Sequence, residues 1–167
     1  MSGIELDRRP SRRSTALSAA AGTVAAGASA AGTTTGGLVT AAGVAVVVAG
    51  VWTGRHRVVD AGGLVAFVGV MLGALSDASA APVLLGTTAS VVAWDAGGNA
   101  VSLGRQLGRG ADTLRVEAIH ALGSAVVGLL GAGVGLALFR AGPRGLPVTT
   151  LFVLVVAAAL LVAVLSR

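Results

Sequence analysis

Few side chains in this sequence could do chemistry, and most of them lie between positions 94 and 120. Glu117 and His120 stand three apart at the start of an apolar run, so on a helix they share one face. A carboxylate beside an imidazole could hold or pass a proton. Glu-x-x-His is also half of the di-metal motif of ferritin-like bundles. That site needs the motif twice and two further glutamates, and the only other glutamate here is Glu5. The pair therefore reads as a proton-handling couple, or as a polar helix end completed by Arg115, and no metal is expected. Around it lies the candidate functional cluster: Trp94, Asp95, Asn99, Arg105, Gln106, Arg109, Asp112, Arg115, Glu117 and His120. This is most of the polar side-chain inventory outside the N-terminal tail. It reads as a docking surface for another protein, or as a solvated loop with internal ion pairs and Trp94 as its interface anchor. Its three arginines are too dispersed for the usual basic lipid-binding cluster.

The remaining acids, Asp60, Asp77 and Asp95, each fall at the end of an apolar stretch, where caps and turn formers belong. His56 sits in Arg55-His56-Arg57 with no partner in sequence. Cysteine and lysine are absent, which removes thiolate, cysteine–zinc, iron–sulfur, Schiff-base and phosphate-loop lysine chemistry. No serine–histidine–aspartate set and no nucleotide loop can be assembled. We expect no catalytic residues, no cofactor and no enzyme.

The elements that must position these residues are set by composition. Apolar residues make up 54% of the 167, charged residues 11%, and the mean hydropathy is +0.88. A soluble domain carries about 25% charged residues, so this chain lacks the polarity for a water-facing surface. Its net charge of +5 is scattered as arginines between apolar runs, with no polar domain to carry a nucleic-acid face. The expectation is an all-α integral membrane bundle of about six transmembrane helices, each needing about 20 apolar residues.

A basic tail, 1–13, precedes a single transmembrane domain, 14–167. Residues 14–54 carry no charge and suit two spans, about 15–32 and 37–53, with Thr33-Thr34-Thr35-Gly36-Gly37 as the turn between them. Further spans are expected at about 60–76, 80–94, 114–139 and 146–166. The cytoplasmic loop 95–113 should hold a short interfacial amphipathic helix, on which Ala100, Leu103 and Leu107 recur on one side. Asp112 is placed to cap the fifth span. With the N-terminus in the cytoplasm, ten arginines fall inside and two, Arg140 and Arg144, outside, so both termini are expected in the cytoplasm of a cell-membrane protein. A cleaved signal ending near Ala28-Ser29-Ala30 is a weaker alternative for span 1. Small residues should carry the helix packing. Candidates are Ala42/Val46/Gly50 in span 2, Gly69/Gly73 in span 3, and Ser124/Gly128/Ala132 with Gly131/Gly135 in span 5. Spans 3 and 5 are expected at the bundle centre and span 6 at its periphery.

One stretch carries a likeness. Ala93-Trp94-Asp95, continuing through Leu103-Gly104-Arg105-Gln106-Leu107-Gly108-Arg109 to Asp112-Thr113-Leu114-Arg115-Val116-Glu117-Ala118-Ile119-His120-Ala121, resembles the signature of an uncharacterised family of haloarchaeal multi-pass membrane proteins. The family usually has an acidic residue where Gly98 stands, so the match departs there. Its members tend to be encoded near MoxR-type AAA ATPases and von Willebrand A-like proteins. The resemblance implies such a protein as partner and 94–120 as the functional region, and no mechanism. The function expected is a non-enzymatic scaffold or anchoring subunit of a membrane-associated complex; the alternative is a small transporter or channel.

Overall fold

The computed structural model describes residues 10–76, 79–108 and 113–141. Among these the chain is helical throughout: α1 (Arg12–Ala30), α2 (Thr34–Thr53), α3 (His56–Ala74), α4 (Ala80–Leu107) and α5 (Leu114–Ala141). Three segments are long and apolar enough to cross a membrane: α2, α3 and Leu114–Ala137 of α5. The helix bundle belongs to the first of two compact units, Met1–Val134. Of the second, Gly135–Arg167, residues 135–141 are described and close α5. The expected span at 146–166 lies outside the described residues, as do Asp77, Arg109 and Asp112.

The boundaries follow from capping chemistry. Ser11 accepts from the Ser14 amide to start α1, and Thr33 accepts from the Gly36 amide at 2.8 Å to start α2. The Thr33–Gly37 turn expected from sequence is therefore shorter. Thr33 caps, and Thr34 to Gly37 form the first turn of α2. Gly54 ends α2 at φ 66, with the Arg55 amide donating to Gly50 O and the Gly54 amide to Val51 O. That pairing is a Schellman cap, and the left-handed φ is what a glycine tolerates there.

Small residues build the interior. A Cβ placed on Gly43 would lie 2.2 Å from the Ala66 nitrogen, on Gly62 2.5 Å from the Val47 nitrogen, and on Gly69 2.3 Å from the Thr40 nitrogen. The α2 and α3 backbones thus touch, which only glycine at these positions permits. The same registers make α2 and α3 antiparallel. Gly97 beside Ser18 and Gly86 beside Ala28 do the same for α1 and α4. In α2 the buried stripe is Gly36, Thr40, Gly43, Val47 and Gly50, while Ala42 and Val46, expected to face inward, are exposed. Only Gly50 of that predicted stripe packs.

Two larger differences concern α1 and α4. The segment of α1, for which a cleaved signal was the alternative, packs deeply: Ser14, Ser18, Gly22, Ala25 and Ser29 are all buried on one face. Its lack of bulk is what lets α2 and α4 approach it. The short interfacial helix expected after residue 95 does not exist as a separate element, because α4 runs unbroken from Ala80 to Leu107. Ala96, Gly97, Ala100, Val101 and Gly104 continue its buried face, and Ala100 and Val101 join Val47, Val51 and Val59 in the core. Gly97 packs where a built Cβ would lie 3.1–3.3 Å from Val51, Val47 and Ser18. Leu107, taken as part of the apolar face, is exposed.

Among the described residues, α5 lies at the edge of the bundle and not, as expected from sequence, at its centre. Ala121 packs with Val92 and Ala96, and Gly128 meets Thr88, but Gly131 and Gly135 have nothing within 4 Å of a built Cβ. Leu129, Leu130 and Val134 face outward, as do Leu38 on α2 and Leu64 on α3, each 67% exposed. Small residues inside and large apolar residues outside invert the pattern of a water-soluble protein.

Candidate functional site

The antiparallel registers bring α3, α4 and α5 together around a cleft of about 720 Å³. Its polar lining is Asp60 from α3, Trp94, Asp95 and Asn99 from α4, and His120 and Ser124 from α5. Val91, Gly98, Val127 and Gly128 complete it. Asp95 is the hub: its Oδ2 lies 2.9 Å from His120 Nε2 and accepts from Ser124 Oγ at 2.7 Å. Across the cleft, Trp94 Nε1 donates to Asp60 Oδ1 at 3.0 Å. The indole lies against Gly63, where a Cβ would be 2.7 Å from its Cγ. Only glycine at 63 lets the ring lie flat on α3.

The depth of the cleft is fixed by neighbouring contacts. Ser102 and His56 Nε2 are 3.2 Å apart, so the start of α3 is level with the last turns of α4. Asp60 is four residues into α3, about 6 Å from its start. Asp95 precedes Leu107 by twelve residues, about 18 Å. It is not at a helix end, as its place in sequence suggested, because α4 continues past it. The cleft therefore sits one to two turns from that end of the bundle and opens to the outside, with the His120 side chain 45% and that of Asp95 39% exposed.

Not all of the candidate cluster belongs here. Trp94, Asp95, Asn99 and His120 meet in the cleft. Arg105 donates to the Gly54 carbonyl at 2.9 Å and so caps the C-terminus of α2, where a cation also opposes the helix dipole. Gln106 and Arg115 are exposed. Arg109 and Asp112 fall outside the described residues. Glu117 turns away from His120 despite their spacing. It is 3% exposed, and its Oε1 accepts from Ser14 Oγ of α1 at 2.8 Å and from Thr113 Oγ1. Three residues on a helix leave side chains about 60° apart around the axis, and here that offset turns Glu117 to α1 and His120 to α4. The Glu117–His120 proton couple of the sequence reading is thus replaced by an Asp95–His120 pair.

Sequence reasoning assigned Asp60 to an interface cap and Ser124 to a packing stripe, and gave Ser14 no role. Ser124 was findable, since it is one turn beyond His120 and shares its face. Nothing local links Asp60 to Trp94, 34 residues away.

Chemically, the hub can share a proton between Asp95 and His120. It does not form a nucleophilic relay, which would need the serine hydroxyl bonded to the imidazole; here Ser124 gives its hydrogen to Asp95. Among the described residues no three histidine, aspartate or glutamate side chains gather as metal ligands.

Comparison with known proteins gives one match. A family of unknown function, DUF7519, matches residues 8–162. No curated protein and no solved structure matches the chain.

Proposed function

The chain belongs to the DUF7519 family of unknown function, and from that premise we propose that it is a multi-pass membrane protein acting as a non-enzymatic anchoring subunit. One observation carries the reading. Arg12 and Arg13 begin α1, Arg55 and Arg57 join α2 to α3, Arg105 ends α4 and Arg115 begins α5. The helix registers put all six at one end of the bundle. Glu117, two residues beyond Arg115, is buried and already hydrogen-bonded to Ser14 and Thr113. A basic end on an apolar bundle is the cytoplasmic end by the positive-inside rule. It also fits an acidic surface on a cytoplasmic partner. The partner class to look for first is the one the resemblance implies, a MoxR-type AAA ATPase or a von Willebrand A-like protein.

The test is a tagged pull-down from native membranes in mild detergent. We expect a stoichiometric partner that is lost when Arg55, Arg57 and Arg115 are changed together to Glu. A partner-free protein, or a partner indifferent to these charges, overturns the reading. Glu117 and Arg105 are left intact because both hold helices in place.

The Asp95–His120 pair, one to two turns from the end of an apolar bundle, favours a second reading, a small transporter, since intramembrane ionisable pairs mark ion and proton pathways. It predicts solute or proton flux in proteoliposomes that His120→Ala abolishes.

A further inference from the structure

We propose that the cleft between α3, α4 and α5 binds a small organic ammonium cation, with Asp60 and Asp95 as counter-charges and Trp94 as its aromatic wall. The site would serve either reading of the function, because it requires binding and not transport.

Charge is the first argument. The lining holds two carboxylates and one histidine, and no arginine, although the chain has twelve. Its net charge is therefore −2 with His120 neutral and −1 with His120 protonated. An anion is repelled in both states. Exposure is the second. The Asp95 and His120 side chains are 39% and 45% exposed, so the cleft is open to a ligand, and carboxylates on an apolar bundle are costly unless water or a cation meets them. His120 can answer only Asp95, to which it is paired. Among the described residues, the charge of Asp60 is met by the dipole of the Trp94 N–H.

Size and shape select the kind of cation. A cleft of about 720 Å³ is many times the volume of a metal ion. Among the described residues it also lacks a set of three ligating side chains. The lining is amphipathic, with Asp60, Asp95 and Asn99 beside Val91, Val127 and the indole. Trp94 divides this cleft from a second of about 420 Å³ that shares Asp60 and Val91 and adds Leu64 and Phe67. An ammonium on a short apolar body places its charge between the carboxylates and its body on these walls. The indole adds cation–π attraction. Gly63 and the Asp60 hydrogen bond hold the ring in place before any ligand arrives.

The chain contains two tryptophans, Trp52 and Trp94. The full-length protein with Trp52→Phe, in maltoside micelles, thus reports from Trp94 alone. Its emission is followed while benzylammonium is added, with benzyl alcohol and benzoate as neutral and anionic probes of similar shape. We expect a saturable change with benzylammonium only. Affinity should fall by about tenfold or more in Asp60→Asn and in Asp95→Asn, the loss of one charge–charge contact. Both variants keep an oxygen acceptor, for Trp94 and Ser124 respectively, and circular dichroism checks that they keep their helices. If Asp95→Asn does not fold, Asp60→Asn decides. The proposal is overturned by any of three results: no saturable response, an equal response to benzyl alcohol, or full affinity in the folded charge variants.

Discussion

Glu117 illustrates how a single side chain is used here. Its carboxylate is buried between α1 and α5 and held by Ser14 and Thr113. A hydrogen bond to a charged group contributes about 1.5–3 kcal/mol, and losing a buried partner leaves the charge under-solvated. Ser14→Ala should therefore lower the thermal midpoint in detergent by several degrees. Thr23→Ala, which removes an exposed hydroxyl bonded within its own helix, should change it by less than about 0.5 kcal/mol equivalent. Differential scanning fluorimetry of the two variants side by side checks this. Glycine offers a sharper contrast. A Cβ built on Gly43 would lie 2.2 Å from the Ala66 nitrogen, and one built on Gly27 would meet nothing within 4 Å. Gly43→Ala forces α2 from α3 and should cost about 2 kcal/mol or more, as overpacking does. Gly27→Ala should be neutral or slightly stabilising, since alanine is the better helix former. Equal effects would mean that α2 and α3 do not meet at this register.

At the scale of elements, the unexpected partner is α1. Its composition of Ala, Gly, Ser and Thr gives a weak hydropathy signal, yet its small face is the surface on which α4 packs. Ser18 Oγ donates to the Ala93 carbonyl at 2.7 Å, tying the two helices. A Cβ on Gly86 would lie 3.4 Å from Ala28 Cβ, close to the separation of bridged cysteines. In this cysteine-free chain the double variant Ala28→Cys, Gly86→Cys should form an intramolecular disulfide on mild oxidation. A mobility shift on non-reducing gels, reversed by dithiothreitol, reads it out. A protein in which α1 is removed as a signal cannot give that band, so the same experiment decides whether the first helix is retained. The length of α4 matters equally. By continuing past Asp95 it places that residue away from the helix end and brings Arg105 to the end of α2.

For the whole molecule, the arginine-rich end predicts orientation. Thr53 and Gln106 are exposed at that end, and Ala31 and Leu75 are exposed at the opposite end. Single cysteines at 31 and 75 should react with an impermeant maleimide in intact cells. Those at 53 and 106 should react only after the membrane is opened. The reverse pattern would invert the topology and remove the basic end as a cytoplasmic docking surface. The apolar outside and glycine-rich inside are consistent with packing by close backbone approach, not by hydrophobic collapse.

Several features were legible without coordinates, and for local reasons. Helical class, the positions of α2, α3 and α5, and the use of small residues as packing surfaces all follow from hydropathy and composition along the chain. So does the concentration of polar groups at 94–120, from which Trp94, Asp95, Asn99 and His120 reach the cleft. What sequence could not determine was which face of each helix meets which neighbour. Ala42 and Val46 lost to Thr40, Gly43 and Val47 because register is set by the partner helix. Gly97 and Gly98 stayed helical because Val47, Val51 and Ser18 close around Gly97. Glu117 and His120 parted because different helices flank them, while Asp60 and Asp95 came together across 35 residues. Propensity and periodicity act over a few turns; the site is made by contacts between helices, and only the tertiary structure decides those.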